Sequence, residues 1–491
     1  MTSRIQVSEI VNEVLKMEYK YMEFKSRNCW QVYGSKEHRS VMDRIAGDYV
    51  SFLSACKTER ETIEWVRSRA AEHGFSEDLE GDKFFRIHKG KSIILAWRGK
   101  KPLSGGLRLF GAHADTPRLD LKQRPLYEEC RVSLAKTHYY GGIRKHQWLA
   151  RPLALHGVIA KSDGTTINIC IGEKESDPVF SVADLLPHLA YKQIEKKLSE
   201  AFEAEKLNVI LGHIPLAGNS KDKESEGNEK DGQHVKKGVL QILNQKFGII
   251  EEDLYSAELQ AVPAGPARFV GLDEGLIGGF GHDDRACVFT GLMAFLEKGG
   301  TDCTRVAIFW DKEEIGSEGS SGAKSLFLEY TLEEMLEAWE PQTRLRTVFA
   351  NTRAISGDVH AAMDPDYQEV HEKLNASLLG HGPVFCKFTG HRGKVGANDA
   401  HAEYIGWLRS ILNREGIPWQ MAETGRVDLG GGGTVAKFLA IYGMDVIDFG
   451  PGVLSMHSPF EIMSKADIYA TYLAYSSFFK AKEQGSEDQE S

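Results

Sequence analysis

The sequence lacks the paired cysteines that mark a disulfide framework or a cysteine-rich metal site. Its seven cysteines occur singly along 491 residues, with no Cys-x-x-Cys pair. An odd, dispersed set is typical of reduced thiols in a cytoplasmic protein. The N-terminus has no apolar signal segment, and no apolar run approaches the length of a membrane span. We therefore expect a cytoplasmic protein without a membrane partner.

The sequence also lacks an excess of basic charge. It has 60 Lys and Arg against 70 Asp and Glu, which gives a net charge of −10. A nucleic-acid binder would show a basic face, so nucleic acid is not an expected partner. No Gly-Lys-Ser/Thr follows the glycine run at 430–434, which disfavours a nucleotide phosphate loop. This run would instead offer backbone N–H groups to a substrate oxygen.

The chain is longer than a single core usually supports, so two domains or one domain with a large insertion are expected. Helix-like and strand-like segments alternate before about residue 120 and again after Gly271. Between 120 and 265, short β-like runs alternate with turns instead. Residues 218–238 are almost wholly polar and are expected to form an exposed loop. The simplest interpretation is an α/β domain split by a β-rich insertion.

Periodicity and turn residues predict the individual elements. The expected helices are 7–25, 59–73, 194–206, 434–442 and 464–482. The expected strands are 92–98, 107–111, 153–160, 166–172, 304–311, 346–351 and 445–450.

Five segments combine His, Asp or Glu with a strand end or a glycine-rich turn. They are 111–117, 281–285, 309–317, 355–365 and 454–461. The third ends an apolar strand in three carboxylates, which repel each other unless they face solvent or a cation. Imidazole and carboxylate without cysteine suit zinc, manganese or cobalt.

Each segment alone also has an ordinary structural interpretation. Residues two apart on a strand point to the same side, so His113 can bind a metal while Asp115 orients its ring. An exposed ion pair explains the same spacing. Either Asp283 or Asp284 can bridge two cations. The alternative is an ordinary acidic turn that binds no metal. The lone histidines of the last two segments are more often structural than ligands.

Taken in order, the five segments resemble the aspartyl aminopeptidase and vacuolar aminopeptidase I family of dizinc exopeptidases. Residues 382–404 are most similar to the bacterial and vacuolar aminopeptidase I branch. The resemblance rests on His-Ala-Asp-Thr-Pro (113–117), Gly-His-Asp-Asp-Arg (281–285), Glu-Glu-Ile-Gly-Ser (313–317), Gly-Asp-Val-His-Ala (357–361) and Ser-Met-His-Ser (455–458).

This resemblance implies two bound divalent metal ions. Zinc is the expected metal, and manganese and cobalt are the alternatives. His113 would bind one ion and His457 the other, with Asp283 bridging both. Glu314 would ligate one ion and Asp358 its neighbour.

The resemblance also implies roles for four further residues. Glu313 would be the general base that takes a proton from a metal-bridging water, and Asp115 would orient His113. His188, in Leu-Pro-His-Leu-Ala, matches a histidine that completes the neighbouring subunit's site; a buried structural imidazole is the alternative. Lys387 is a candidate contact for an acidic N-terminal side chain, with a solvated lysine as the alternative.

The implied fold is a zinc-exopeptidase-type α/β/α core, residues 1–118 and 266–491, split by an inserted dimerisation domain at 119–265. The implied function is metal-dependent removal of the N-terminal residue from peptides, by dimers that assemble into a dodecamer. Two alternatives stay open, a dinuclear deacylase or carboxypeptidase and a non-catalytic assembly protein. The preferred N-terminal residue is left open.

Overall fold

The strands form three sheets in the computed structural model, which describes residues 22–216, 233–299 and 302–482. The eight-stranded sheet comprises β1 (Lys83–His88), β2 (Ser92–Trp97), β3 (Arg108–His113), β13 (Arg305–Trp310), β14 (Arg353–Ser356), β16 (Val384–Cys386), β17 (Gln420–Met421) and β18 (Asp445–Gly450). The seven-stranded sheet comprises β4 (Arg118–Glu129), β5 (Val132–Tyr140), β6 (Leu153–Ala160), β7 (Thr166–Ile171), β8 (Ser181–Val182), β9 (Val209–Gly212) and β10 (Ala257–Pro263). The five-stranded sheet comprises β11 (Arg268–Val270), β12 (Leu276–Gly279), β15 (His360–Ala361), β19 (Gly452–Leu454) and β20 (Glu461–Ser464).

Helices in the described part of the chain cover the sheets and connect their strands. They are α1 (Cys29–Val32), α2 (Lys36–Ala55), α3 (Glu59–Glu72), α4 (Tyr191–Ile194), α5 (Leu198–Ala201), α6 (His234–Phe247), α7 (His282–Leu296), α8 (Phe327–Trp339), α9 (Leu345–Ala350), α10 (Ala402–Arg414), α11 (Ala436–Ala440) and α12 (Lys465–Lys480).

The eight-stranded sheet has the order β1-β2-β13-β3-β14-β18-β16-β17, and its centre, β13-β3-β14-β18, is parallel. Strands β3 and β13 are buried along their whole length, as expected of parallel strands covered on both faces. Phe110 and Phe309 pack into one apolar cluster with α2, α3, α7, α10 and α12. Leu109 and Ile308 pack into a second with α8, α9 and α11. The fold is therefore mixed α/β, as expected.

All strands of the seven-stranded sheet lie between residues 118 and 263, in the order β7-β6-β10-β4-β5-β9-β8. One face packs against α6 through an apolar cluster that includes Val239, Ile159 and Leu259. The sheet coincides with residues 120–265, where the sequence predicts short β-like runs separated by turns. That this stretch is a separate dimerisation domain stays a prediction.

Several local predictions were wrong. Residues 346–351, predicted as a strand, belong to helix α9, and the neighbouring strand β14 begins only at Arg353. A short apolar run fits either element, and here Val348 and Phe349 are buried from a helical turn. The helix predicted at 194–206 is broken into α4, α5 and a short 3-10 turn at Ala204–Lys206.

Two predictions extend beyond the described residues. Of the helix predicted at 7–25, residues 7–21 lie outside them, as do residues 218–232 of the predicted polar loop. The remainder of that loop prediction is wrong, because α6 begins at His234.

The cysteines form no disulfide bond within the described residues. Among the helices that the structure describes, none is both long and apolar enough to cross a membrane.

Candidate metal centre

The carboxyl ends of the central parallel strands bring the candidate ligands together. His113 ends β3 and lies beside Trp310, the last residue of β13, after which the chain turns to Glu313 and Glu314. Asp358 follows β14, which pairs with β3 on its other side. Open α/β sheets bind their ligands at this edge, because the strand ends present side chains there.

Asp283 lies between the two histidines. Its Oδ1 is 3.1 Å from His113 Nε2, and its Oδ2 is 3.3 Å from His457 Nε2. Glu314 Oε2 is also 3.3 Å from His457 Nε2. The adjacent Asp284 instead accepts the backbone N–H of His113 at 3.3 Å. Asp283 thus faces both histidines at once, whereas one of the two Asp284 oxygens accepts a backbone N–H.

Asp115 holds the His113 ring and the loop after β13 in one place. His113 Nδ1 is 3.3 Å from Asp115 Oδ1, and the backbone N–H groups of Glu313 and Glu314 donate to the two Asp115 oxygens at 3.1 and 3.2 Å. The pKa of Asp115 is lowered: burial alone raises it, but the hydrogen bond and charge of His113 outweigh that effect. Asp115 lies two residues beyond the end of β3, in the segment between β3 and β4, and its carboxylate contacts the His113 ring from there.

Glu313 faces the same space from a 3-10 turn, Glu313–Ile315, entered through Lys312 at φ +70°. Burial, offset in part by His113 and reinforced by Asp115, raises the pKa of the Glu313 carboxyl to about 7. His457 also has a left-handed backbone, at φ +63°, and its side chain is 34% exposed whereas that of His113 is 1% exposed. Left-handed backbone in residues with a side chain is concentrated at functional sites.

The donor set fits divalent cations. His113, Asp283 and Glu314 offer ligand atoms within 4.8 Å of one another, and so do Asp283, Asp284 and Asp358. Two buried carboxylate oxygens of this cluster make no hydrogen bond: Asp284 Oδ1 and Glu314 Oε1. Burial raises the pKa values of Glu314 and Asp358 well above their usual range. Buried acids without donors are stabilised by a bound cation.

A cavity of about 460 Å³ opens onto this cluster. Asp283, Glu313, Glu314, Asp358 and His457 are among its lining residues, together with the glycine run at 431–433. Four of the five candidate metal ligands, all except His113, therefore line a cavity that a substrate can enter.

Two sequence candidates are not among the residues that line this cavity. Lys387 follows β16 and is not among the lining residues, whereas Lys437 is. His188 is exposed on the turn Pro187–Leu189 and also lies outside the lining. The structure of one chain therefore does not bring either residue to the cluster.

Two residues that position the site were missed by the sequence interpretation. Tyr140, at the end of β5, donates its hydroxyl to Asp115 Oδ2 at 2.8 Å. Glu461 accepts the backbone N–H of His457 at 2.7 Å and that of Asp283 at 3.1 Å, so one carboxylate fixes two ligand segments. Glu461 stands four residues after His457, a spacing that hints at this contact, but no local signal marks Tyr140.

Comparison with known proteins agrees with this geometry. The family described as "Aminopeptidase I zinc metalloprotease (M18)" matches residues 52–479. A probable M18 family aminopeptidase 1 from Clostridium acetobutylicum is 47% identical over 479 residues, which cover 95% of this chain and 99% of that protein. The crystal structure of an M18 family aminopeptidase from Thermotoga maritima has a TM-score of 0.87 at 44% identity and covers 93% of this chain and 100% of that one.

A more distant structure shares the fold alone. The Saccharomyces cerevisiae mApe1 dodecamer has a TM-score of 0.71 at 20% identity and covers 90% of this chain and 97% of that one. The family match and the two bacterial relatives span nearly the whole chain, including all five candidate metal segments. The chain therefore belongs to the M18 family of zinc metallo-aminopeptidases.

Proposed function

We propose that the protein removes the N-terminal residue of peptides. It would use two divalent metal ions, assigned as zinc, bound beside the 460 Å³ cavity. His113 and Asp358 would hold one ion, His457 and Glu314 the other, and Asp283 would bridge them. The observation that carries this proposal is the position of Asp283, whose two oxygens each face one histidine. Manganese and cobalt suit the same donor set, so zinc is assigned from the family.

When bound, the two ions would polarise the scissile carbonyl, lower the pKa of the attacking water and hold the free α-amino group of the substrate. Glu313 is the general base in this proposal: it accepts a proton from the water and returns it to the leaving amine. Its place in the cavity wall supports this role, as does the hydrogen bond that ties its backbone to Asp115. Asp115 acts by orienting His113.

Replacing Glu313 by Gln tests the base assignment. We expect hydrolysis of aminoacyl substrates to fall by about 10²- to 10⁴-fold, because the amide cannot accept the proton. Metal content, measured by elemental analysis, should equal that of the unaltered protein, because the proposal gives Glu313 no metal contact. Glu318→Gln, on the exposed far side of the same loop, is the matched control and should retain full activity. Unchanged turnover in Glu313→Gln would refute the assignment.

A substrate panel separates this function from a deacylase or carboxypeptidase with similar ligands. We expect cleavage of peptides with a free amino terminus and none of their N-acylated counterparts. A preference for the acylated set contradicts the proposal. Removal of metal with a chelator should abolish hydrolysis, and titration with zinc, manganese and cobalt should identify the ions that restore it and their number.

We further propose that residues 119–265 form an inserted dimerisation domain. The seven-stranded sheet lies wholly within 118–263, and the segment after β8 exposes several large apolar side chains to solvent. His188 lies within that segment, so a second chain docking there would receive its imidazole. Dimers of this kind would assemble further into a dodecamer, as in the distant yeast structure.

A further inference from the structure

A second group of metal-binding side-chain types lies where the seven-stranded sheet meets α3. His156 of β6 and Cys170 of β7 are directly paired across the antiparallel strands. Directly paired residues project to the same face, so both side chains point toward α3. Glu173 follows β7, and Glu61 approaches from the first turn of α3. None of these residues lines the cavity beside the candidate metal centre.

The imidazole of His156 is at the centre of this group. Its Nε2 lies 3.0 Å from Glu173 Oε1 and 3.9 Å from Cys170 Sγ. Its Nδ1 lies 2.7 Å from Glu61 Oε1. In a tetrahedral zinc site, with bonds of about 2.0–2.3 Å, the ligand atoms lie roughly 3.3–3.7 Å apart. The two distances from His156 Nε2, 3.0 Å to Glu173 Oε1 and 3.9 Å to Cys170 Sγ, lie just below and just above that range.

We propose that Cys170 Sγ, His156 Nε2 and Glu173 form a binding site for one divalent cation of the zinc class. Glu61 does not ligate: it accepts the other ring proton of His156 and so fixes the orientation of the imidazole. This pairing of a carboxylate with a metal-bound histidine is the usual way in which proteins orient such a ring. Thiolate and imidazole together select zinc or cobalt over magnesium or calcium.

The exposure of the group suits a site of this kind. The His156 side chain is 1% exposed and that of Glu173 is 18% exposed, whereas Cys170 lies on the exposed edge. The fourth position of the cation would therefore open to solvent and take a water molecule. Because the ligands lie on β6 and β7 and their orienting carboxylate on α3, a bound cation stabilises the contact between the sheet and this helix.

Metal binding leaves the charge of the group unchanged. Without metal, both His156 ring nitrogens lie within hydrogen-bond distance of a carboxylate, Nδ1 at 2.7 Å from Glu61 and Nε2 at 3.0 Å from Glu173, so both are placed to donate a proton. Lys57 Nζ is 3.6 Å from Glu173 Oε1. A divalent cation displaces one proton from His156 Nε2 and one from Cys170 Sγ. The two charges that enter thus replace the two that leave, and the surrounding ion pairs stay balanced. Affinity should fall as the pH falls, since protons compete for both atoms.

Cobalt substitution tests this site, because a thiolate bound to Co²⁺ gives a near-ultraviolet charge-transfer band. The proposed catalytic ligands are imidazoles and carboxylates, which give no such band. We expect the full-length protein, stripped of metal and titrated with Co²⁺ under reducing conditions, to show the band and to bind three ions per chain. Cys170→Ser should lose the band and one ion, and should keep its peptidase activity.

Cys130→Ser is the matched control, since Cys130 is the other exposed cysteine among the described residues. It should retain both the band and the third ion. Absence of the band from the unaltered protein at saturating Co²⁺, or its persistence in Cys170→Ser, would overturn the proposal. Neither result bears on the two-ion centre, whose own test is removal of metal with a chelator followed by metal titration of hydrolysis.

Discussion

Asp115 connects three parts of the candidate metal centre through its two carboxylate oxygens. It contacts the His113 ring, accepts the backbone N–H groups of Glu313 and Glu314, and accepts the Tyr140 hydroxyl. An acid with this many donors acts as a positioning residue, since it fixes both a ligand and the loop of the proposed base.

Asp115→Asn should therefore weaken metal binding rather than unfold the chain. An amide has one acceptor oxygen and cannot receive all of these donors, so we expect metal affinity to fall about 10- to 100-fold. Competition with a chelating indicator measures this affinity directly. Tyr140→Phe removes only one donor and should cause a smaller loss. Equal affinity in Asp115→Asn and the unaltered protein would contradict the positioning role.

The sequence could predict this pair but not its partners. His113 and Asp115 are only two residues apart, so a local spacing is enough to bring their side chains together, although Asp115 lies beyond the end of β3. Tyr140 and Glu461 reach the site from β5 and β20, and their contacts depend on how separate sheets meet. The choice of Asp283 over Asp284 likewise came from the family motif, since spacing alone allows either.

At the scale of elements, buried strands were predicted best. Strands β6 and β18 match the predicted residues 153–160 and 445–450, because turn residues bound each run on both sides. Short segments failed where tertiary packing decided the outcome. Residues 346–351 have the β-branched and aromatic composition of a strand, yet they form α9 because Val348 and Phe349 fill a space beside the sheet.

Packing of α7 on β3 sets the distance between two ligand segments. Helix α7 carries Asp283 at its start, β3 carries His113 at its end, and Gly291 lies against the Phe110 ring. A Cβ at Gly291 would lie 2.1 Å from that ring, too close for the helix to stay in place.

Gly291→Ala should therefore destabilise the fold by about 1–3 kcal/mol, as overpacked cores do, and should also weaken metal binding. Urea denaturation gives the first quantity and metal titration the second. Gly47→Ala is the matched control, because Gly47 is interior to α2 and a Cβ there meets nothing within 4 Å. It should raise stability by up to about 1 kcal/mol. Similar effects of the two substitutions would refute the packing argument.

The ion pair between β6 and α3 should make stability depend on pH. Burial alone lowers the pKa of His156, but its contacts with Cys170, Glu173 and Glu61 raise it to about 11. Lys57 is the other charged group at this contact. Since the folded pKa exceeds the unfolded value, this contribution is complete below about pH 6.5 and is lost as the pH rises toward 11.

In metal-free protein we expect the free energy of unfolding to fall between pH 7 and 9.5, by up to about 1.4 kcal/mol per pH unit from this group. His156→Gln should flatten the slope, whereas replacement of the exposed His73 by Gln should not. Urea denaturation of the three proteins across the pH range measures the difference. Parallel slopes for His156→Gln and the unaltered protein would exclude this pair as the source.

In the chain as a whole, the residues of the candidate metal centre come from distant parts of the sequence. His113 precedes the seven-stranded sheet, whereas Asp283 and the later candidate ligands follow it. The alternation of short β-like runs with turns between residues 120 and 265 was enough to locate that sheet. The same pattern does not reveal what the sheet contacts, since that depends on surface complementarity between chains.

The exposed apolar side chains after β8 give the last prediction. Leu189 is 67% exposed, Tyr191 77% and Ile194 75%, all within six residues of one another and beside His188. Isolated exposed apolar residues are common, but a contiguous group of this size is typical of a protein interface. We therefore expect a second copy of the chain to cover it.

Replacing Leu189, Tyr191 and Ile194 together by Ser should shift the protein to smaller species in light scattering, because the apolar contacts that drive association are lost. Ile441→Ser is the control, since Ile441 is as exposed but lies far away in sequence. His188→Asn should keep the assembly and lower kcat/KM, because His188 would act in the neighbouring chain's site. Mixing His188→Asn with Glu313→Gln subunits should then restore part of the activity, since a Glu313-intact site can receive His188 from the other variant. A monomer with full activity would contradict both the interface and the shared histidine.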